Sequence, residues 1–487
     1  LKSLYYQIER TKTAACVGSV RADGNILSGK GVIVGVIDTG IDIFDNAFRN
    51  SDGTTRILNI YDQTTGEKYD KQSIDEYIRL NEDLSGGTFS YDNAPGVDNI
   101  MHGTDVSYIA AGSLGVAYEA DIIAVKMGYS INNQFPRTTS LMDAIDYIIR
   151  KAIEYRKPVA VNISYGCNYG AHNGNTLLES FIDDISKSYR CVICVGSGNE
   201  ADKAIHFGGI INTGQVQTAY LSVGEYQSAI DIQIWKNYWD TIDVMLINPR
   251  GEQIGIITEG RINRYETYNT EIITLLGEPS PYNIYQEIYI NLIPKTDYIL
   301  SGIWQIVLMA GSIRAGEYNI WLPSSQALGY ATAFNNPTAD GTITIPATAR
   351  NCIAVGAYNA YTNSYAAFSG RGFDNSIRNV NAGVKPDITA PGVDISIARQ
   401  RGNDITYRNV TGTSYAVPVV TGAAALLMQW GIVMGNDRFM YGEKLKAALI
   451  DGSKPVGLVG ITRNDNQPDP RTGWGAVCLK NTLNKIL

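Results

Sequence analysis

Three side chains in this sequence have the types needed for a nucleophile, a base and an orienting acid. Ser414 lies in GTSYAVP, where a polar, glycine-bearing segment becomes an apolar, helix-like one. His102 precedes Gly103 and Thr104, and Asp38 directly follows the apolar run GVIVGVI. A serine hydroxyl becomes nucleophilic when a base removes its proton and a third group orients that base. The three residues therefore predict acyl transfer, provided that the fold brings them together.

Each of these residues has competitors or an ordinary structural interpretation. The chain contains only three histidines, so few groups can act as a base near neutral pH. An isolated histidine before a helix, such as His102, is usually structural, but His172, in the loop YGAHNGN, and His206, in KAIHFGG, are weaker candidates on their local context. Asp42 is a rival to Asp38, but it lies past the turn that follows the strand. A charged residue at the carboxyl end of a buried strand is where open α/β sheets place their chemistry, which favours Asp38.

Ser414 taken alone also fits a helix N-cap, a common use of serine. The apolar residues after it predict a helix with Ser414 in the first turn. Pro418 is expected in that same turn, where amides lack intrahelical partners. The residues that share one face of this helix are Val417, Val420, Ala424 and Leu427.

The first part of the chain alternates strand-like and helix-like segments. Short apolar, β-branched runs predict buried parallel strands, and residues at helical spacing predict the intervening helices. This order predicts an α/β fold, a parallel sheet with helices on both faces. The segments are 31–38, 158–164 and 191–198 for strands, and 140–155 and 177–190 for helices.

The pattern changes between 208 and 340. Short β-like runs separated by turns predict antiparallel strands there, and four of the six tryptophans lie in this stretch, which indicates a separate core. We expect an inserted antiparallel β-sandwich, jelly-roll-like, at 208–340. The catalytic α/β domain would then be divided into a first part at 1–207 and a second part at 341–487.

Composition argues against several classes of protein. The 487 residues are 44% hydrophobic and 18% charged, as in a globular protein with a large core. A formal net charge of −8 argues against nucleic acid as a partner. No apolar run reaches the ~18 residues of a membrane span, so none is expected.

The cysteines predict neither a metal site nor a disulfide framework. Six are scattered along the chain, which is too sparse for such a framework. Cys191 and Cys194 form a CxxC with no second pair or nearby histidine, so they are interpreted as buried strand thiols. No metal site and no cofactor is predicted.

Five segments in order resemble the signature segments of subtilases, the subtilisin-like serine proteases. VIDTGID, HGT and GTSYAVP follow the Asp, His, Ser order of that family. The resemblance implies a triad of Asp38, His102 and Ser414. It further implies that Asn199, in VGSGNEAD, is the oxyanion-hole asparagine.

The fifth segment, NISYGCN, resembles the substrate-binding strand of the family. The resemblance implies that Ser164, Tyr165 and Gly166 pair with the substrate backbone by strand addition. Two positions depart from the family pattern. Asp105 stands where a second histidine is usual and is expected to raise the pKa of His102. Tyr415 follows the nucleophile where a smaller or flexible residue is usual and is expected to narrow the leaving-group side.

Three longer stretches are NISYGCNYGAHNGNTLLESFIDDIS, TIPATARNCIAVGAYN and LLMQWGIVMGNDRFMYGEKLKAALIDG. They resemble the Csp branch, the germination proteases of spore-forming clostridia and their relatives. Members of that branch also carry a β-sandwich insertion. The resemblance implies limited proteolysis of a protein zymogen, such as the precursor of a spore-cortex hydrolase, and a spore-associated or extracellular location. It implies protein or peptide partners, including a cleaved propeptide, with this chain as the mature part. Two alternatives stay open: a secreted or host-associated protease with another substrate, and a non-catalytic pseudoprotease.

Overall fold

A computed structural model describes residues 7–18, 20–22, 24–84, 94–127, 136–255, 257, 262–278, 283–373, 384–402, 404–457 and 468–487. Short helical turns in these ranges are a 3₁₀ turn at Asn46–Phe48 and a π turn at Gln429–Val433. The α-helices of the same ranges are, in chain order, α1 Gln7–Ala14, α2 Lys71–Leu84, α3 His102–Ala111, α4 Thr138–Tyr155, α5 Leu177–Ser188, α6 Thr413–Met428, α7 Gly442–Asp451 and α8 Leu479–Ile486.

The strands of the described ranges follow in chain order. They are β1 Arg21–Ala22, β2 Asn25–Ile26, β3 Ile33–Asp38, β4 Ile57–Asp62, β5 Glu67–Asp70, β6 Asp121–Lys126, β7 Val159–Ile163, β8 Cys191–Gly196, β9 His206–Ile210, β10 Val216–Val223, β11 Ile230–Asn237, β12 Ile242–Ile247, β13 Gln253–Ile254, β14 Ile262–Glu266, β15 Thr270–Leu276, β16 Tyr285–Pro294, β17 Gly302–Ala310, β18 Glu317–Trp321, β19 Ala333–Phe334, β20 Ile353–Asn359, β21 Ser364–Tyr365, β22 Ile388–Pro391, β23 Ile395–Arg401 and β24 Asp404–Val410.

A mainly parallel sheet forms the centre of the molecule. Its order is β21-β20-β8-β7-β3-β6-β4-β5, with β22 paired to β20. The pairs from β4 to β20 are parallel, whereas β5 and β21 join its ends antiparallel. Strand β3 is buried along its whole length, which explains its continuous apolar sequence. The α/β fold expected from the sequence is confirmed.

Helices cover both faces of this sheet. On one face, α3 and α6 pack in a core with Val34 and Val36 of β3. On the other face, α4 and α5 pack in a core with Ile33 and Ile37. Successive residues of a strand point to opposite faces, so β3 serves both cores. This places the end of β3 close to the start of α3 on one side of the sheet.

Helix α6 is the buried central helix of the first core. Thr413–Val433 is long and apolar enough to cross a membrane by length and composition, but 89% of its most apolar window is buried inside the protein. Such burial is the property of a core helix. The expectation that Pro418 lies in the first turn is wrong, because α6 begins at Thr413 and Pro418 is its sixth residue. Proline cannot donate to the Ser414 carbonyl four residues earlier, and the Ser164 hydroxyl donates to that oxygen instead, at 3.3 Å.

Two antiparallel sheets account for the change of sequence pattern past Ala201. One has the order β13-β12-β17-β10-β19 and the other β14-β15-β16-β11-β18-β9. They share one apolar core, to which Ile232, Trp304 and Ile320 contribute. The sequence therefore predicted the extra antiparallel sheets correctly. The domain boundaries at 207/208 and 340/341 and the jelly-roll connectivity stay predictions.

Trp321 connects the inserted sheets to the rest of the protein. Its ring stacks on His172 at 4.1 Å and on His206 at 4.9 Å between ring centroids. Trp321 also donates to the Gly341 carbonyl at 2.9 Å. Aromatic stacking and a satisfied indole N–H make this a stable junction.

A disulfide joins the two ends of the described chain. Cys16, after α1, is bonded to Cys478, at the start of α8, across 462 residues. The scattered cysteines did not predict this disulfide. Cys191 and Cys194 are free and buried, as expected.

We expect the double variant Cys16→Ser/Cys478→Ser to unfold at a lower temperature than the wild type. The cross-link restricts the unfolded chain, and such bonds contribute about 2–4 kcal/mol. Thermal unfolding should be followed with and without reductant. Reductant should lower the midpoint of the wild type and leave that of the double variant unchanged. Equal unfolding midpoints for the wild type and the double variant, both measured without reductant, would contradict the prediction.

Candidate active site

Asp38 and His102 meet at the carboxyl end of the central strand. Asp38 is the last residue of β3 and its side chain is 1% exposed, whereas His102 begins α3 and is 25% exposed. The His102 Nδ1 atom lies 2.6 Å from Asp38 Oδ1. The Thr39 amide donates to the same carboxylate oxygen at 2.8 Å. With Nδ1 bonded to a carboxylate, the Nε2 atom of neutral His102 is left as the acceptor.

Asp98 holds the two segments that carry this pair. Its carboxylate accepts hydrogen bonds from the Thr39 hydroxyl after β3 and from the amide and hydroxyl of Thr104 in α3, each at 2.8 Å. Gly103 permits the close approach, because a Cβ there would lie 2.3 Å from the Gly40 carbonyl oxygen. The HGT sequence is thus required by packing as well as by chemistry.

Met101, directly before His102, has a left-handed backbone conformation with φ 64°. A bulky residue rarely adopts this conformation, and strain of this kind persists only where neighbouring contacts hold it. The Met101 amide donates to Asp98 at 2.8 Å, and its carbonyl accepts from Arg399 at 2.9 Å. The backbone that leads into His102 is therefore held from both sides.

The surroundings of His102 raise the pKa of its imidazole above the ordinary value. Burial by itself lowers the pKa, but the Asp38 carboxylate outweighs it through charge and hydrogen bonding, and Asp105 and Asp98 add to the rise. The expected direction of the Asp105 effect is therefore borne out by the arrangement of charges. A raised pKa means that the protonated imidazolium is stabilised here.

The rival candidates lie elsewhere. Asp42 accepts from Arg401 at 2.6 Å and from the Phe44 amide at 3.1 Å, and His102 bonds to Asp38 instead. His172 and His206 are buried and stack on Trp321. Their ring nitrogens lie against backbone carbonyls and, for His206, the Asn319 side chain.

Ser414 is the second residue of α6, and the N-cap is Gly412. The N-cap interpretation of Ser414 is therefore wrong. Gly412 has φ 152°, a conformation that favours glycine. The Thr413 amide and hydroxyl both donate to Asn199 Oδ1, at 2.9 and 3.1 Å. This contact fixes Asn199 beside the positive end of the helix dipole, next to Ser414.

The candidate substrate strand, 164–166, continues from β7 alongside the start of α6. Ser164 accepts from Asn162 at 3.0 Å while donating to the Ser414 carbonyl. Ser164 and Tyr165 are half-buried, and Gly166 is exposed. Ser164 therefore lies next to Ser414, where this partly exposed segment leaves β7.

Tyr415 brings the two halves of the site together. It follows Ser414 in α6, and its ring centroid lies 5.2 Å from that of His102. The structure thus brings Asp38 and His102 together on one side of the site. On the other side, Asn199 and Ser164 contact the start of α6. Tyr415 lies between these two groups, against His102. Among the described residues, no group of three or more His, Cys, Asp or Glu side chains is arranged to hold a metal ion.

Comparison with known proteins agrees with these features. The model of the subtilase family matches residues 29–280 and 315–475 of the chain. The chain belongs to the subtilase family. The family expected from the five sequence segments is therefore confirmed.

Among solved structures, this subtilase is similar to the CspB protease of Clostridium perfringens. The TM-score is 0.87 and the identity 34%, over 98% of this chain and 97% of that one. Because the match covers nearly all of both chains, it includes the inserted sheets. The resemblance to Csp-type proteases is therefore confirmed.

Curated relatives match over shorter stretches. The subtilase-type proteinase RRT12 of Saccharomyces cerevisiae is 33% identical over 128 residues, 26% of this chain and 23% of the relative. Subtilisin E of Bacillus subtilis is 38% identical over 107 residues, 22% of this chain and 24% of the relative. The chain thus spans about a quarter of the length of these curated relatives.

Sequence reasoning missed three residues that support the candidate site: Asp98, Arg399 and Arg408. Asp98 had a signal, since a carboxylate shortly before a helix commonly accepts from its first amides. Arg399 and Arg408 had none, because they contact Asp105 from about 300 residues away.

Proposed function

We propose that this subtilase is a serine endopeptidase that uses Asp38, His102 and Ser414 as its triad. The observation that carries the proposal is the 2.6 Å contact between His102 and Asp38, at the end of the strand facing the start of α6. In the proposed mechanism, His102 takes the proton of Ser414 as Ser414 attacks a peptide carbonyl. Asp38 holds the imidazole in the required tautomer and stabilises the imidazolium that forms.

The reaction would proceed through an acyl-enzyme. Attack by the Ser414 hydroxyl forms a C–O bond and an oxyanion, and His102 then gives its proton to the leaving amine as the C–N bond breaks. Water, deprotonated by His102, then attacks the acyl carbon, and His102 returns the proton to the Ser414 oxygen as the ester bond breaks and the second product leaves. Ser164, Tyr165 and Gly166 are proposed to hold the substrate backbone during these steps.

Asn199 and the Ser414 amide are proposed as the donors to the oxyanion. Asn199 Oδ1 accepts from Thr413, so the side-chain amide group is the part of Asn199 that can donate. The Ser414 amide belongs to the first turn of α6, where amides have no partner within the helix. Donors held in place before the reaction stabilise the charge that develops in the transition state.

The substrate is proposed to be a protein zymogen, such as a spore-cortex hydrolase precursor. The proposal rests on the likeness to a Csp-type protease over nearly the whole chain. A propeptide cleaved from the same protein is proposed as a further partner. The buried Tyr415 beside His102 supports a selective enzyme, because it occupies space near the site where the leaving group must depart.

A fluorophosphonate probe is expected to label Ser414, since such probes react with activated serines. Peptide mapping should find the label on Ser414, with none in Ser414→Ala and about 10⁴-fold slower labelling in Asp38→Asn. Ser188→Ala removes an exposed serine of α5 and should label like the wild type. Unlabelled folded wild type would support a pseudoprotease and contradict the proposal.

Asn199→Ala is expected to lower kcat by ~10²–10³ with little change in KM, since the oxyanion exists only along the reaction path. Asn199→Asp is the sharper variant, because it keeps an oxygen for Thr413 and removes the donor. Steady-state kinetics on a peptide identified by cleavage screening would give both constants. Near-normal kcat in Asn199→Asp would mean that Asn199 only anchors Thr413.

Incubation with a spore extract should produce few cleavages. We expect new N-termini between a pro-segment and the catalytic part of a peptidoglycan hydrolase, absent with Ser414→Ala. N-terminal mass spectrometry would identify them. Cleavage spread over many unrelated proteins would instead indicate a degradative protease, the alternative with another substrate.

A further inference from the structure

The hairpin of β23 and β24 ends at Val410, two residues before Gly412 and the start of α6. Ile395 and Ile397 on its inner side are buried in the first core. Further along the same side, Arg399 and Arg408 reach α3. The hairpin therefore connects the segment that carries Ser414 with the helix that carries His102.

Asp105 is the point of contact on α3. Its side chain is fully buried. Arg399 Nε donates to its Oδ1 atom at 2.9 Å, Arg399 Nη2 makes a second contact, and Arg408 forms an ion pair with its other oxygen. Burying a lone carboxylate is costly, and the two guanidinium groups that contact Asp105 offset part of that cost. Asp105 is three residues after His102, and residues at that spacing are neighbours on a helix surface.

Each arginine also contacts a second active-site segment. Arg399 donates to the Met101 carbonyl at 2.9 Å and thereby holds the left-handed residue before His102. Arg408 lies beside Tyr415, the residue after Ser414, and lowers the pKa of the Tyr415 hydroxyl, which burial raises. The Tyr415 ring in turn lies against His102. These contacts link α3 to the hairpin, the hairpin to the start of α6, and the start of α6 back to α3.

We propose that Asp105, Arg399 and Arg408 are positioning residues that hold His102 and Ser414 in their mutual orientation. This inference rests on the proposed function. The cluster touches no reacting atom, so its effect is exerted through His102, Met101 and Tyr415.

The cluster also sets the charge around His102. Asp105 raises the pKa of His102, and the two arginines counter that carboxylate. Burial raises the pKa of Asp105 itself, which the arginines oppose. The titratable and charged groups that face the His102 and Asp105 pair are Asp38 from β3, Asp98 from the loop before α3, Arg399 and Arg408 from the hairpin, and Tyr415 from α6.

The signs of the expected shifts follow from these charges. Neutral His102 is the active base, so the rate falls as the pH drops through its pKa. Asp105→Asn removes an anion and leaves two cations, which moves the midpoint to lower pH. Arg408→Met removes one of the two positive charges beside Asp105, which moves the midpoint of the pH profile to higher pH. Each shift should be roughly 0.5–1 pH unit.

The measurement is the second-order rate of fluorophosphonate labelling from pH 5 to 9. Arg408→Lys keeps the positive charge, but lysine cannot contact Asp105 and Tyr415 at the same time as the guanidinium does. The variant should therefore keep the midpoint of the pH profile and label at least about tenfold more slowly. Arg401→Met is the matched control, since Arg401 lies on the same hairpin and pairs with Asp42. Its midpoint should equal that of the wild type.

A second measurement does not depend on reactivity. With three histidines in the chain, the His102 signal can be assigned by NMR using His102→Gln, and its titration followed in Ser414→Ala backgrounds. Shifts of the His102 pKa in opposite directions in Asp105→Asn and Arg408→Met would support the inference. A His102 pKa equal to that of the parent protein in both variants would overturn it and leave the protease proposal intact. Failure of folded wild type to label overturns the proposed function and with it the positioning role.

Discussion

A carboxylate buried at the end of the central strand is the constraint on which the candidate site depends. Asp38 is 1% exposed, so it needs hydrogen-bond donors, and its Oδ1 atom receives them from the Thr39 amide and the His102 imidazole. Meeting that need draws α3 against the end of β3. Asp98 then bonds to both segments, and Gly103 leaves the space for them to touch. The orientation of the imidazole is therefore a consequence of satisfying a buried charge.

The start of α6 is built on a different principle. A helix begins with amides that lack partners, and here Asn199 accepts from one of them while the Ser414 amide remains beside it. Pro418 removes one helical donor, and the Ser164 hydroxyl bonds to the carbonyl that is left over. The features that would cost stability in an ordinary helix are thus compensated by residues of the candidate oxyanion hole and substrate strand.

The inserted sheets pack against the loop that follows the candidate substrate strand. Gln233 of β11 accepts from the Gly170 amide at 2.8 Å, and Asn168 donates to the Leu322 carbonyl at 3.2 Å. Both contacts reach the loop that follows Gly166. The insertion packs on this loop and stacks Trp321 on His172, so it restrains a loop that would otherwise be among the more mobile parts of the chain.

The sequence by itself determined the elements and the chemical groups. Strand β3, helix α6, the extra antiparallel strands and the residues Asp38, His102 and Ser414 all follow from local patterns, because periodicity and strand ends depend on neighbours in the chain. Only the tertiary structure decided which acid bonds His102, that Gly412 rather than Ser414 caps α6, and that Cys16 pairs with Cys478. It also decided that Arg399 and Arg408 neutralise Asp105. These contacts join residues tens to hundreds of positions apart. They form only when the whole sheet and its helices pack, and a short stretch of sequence does not predict that packing.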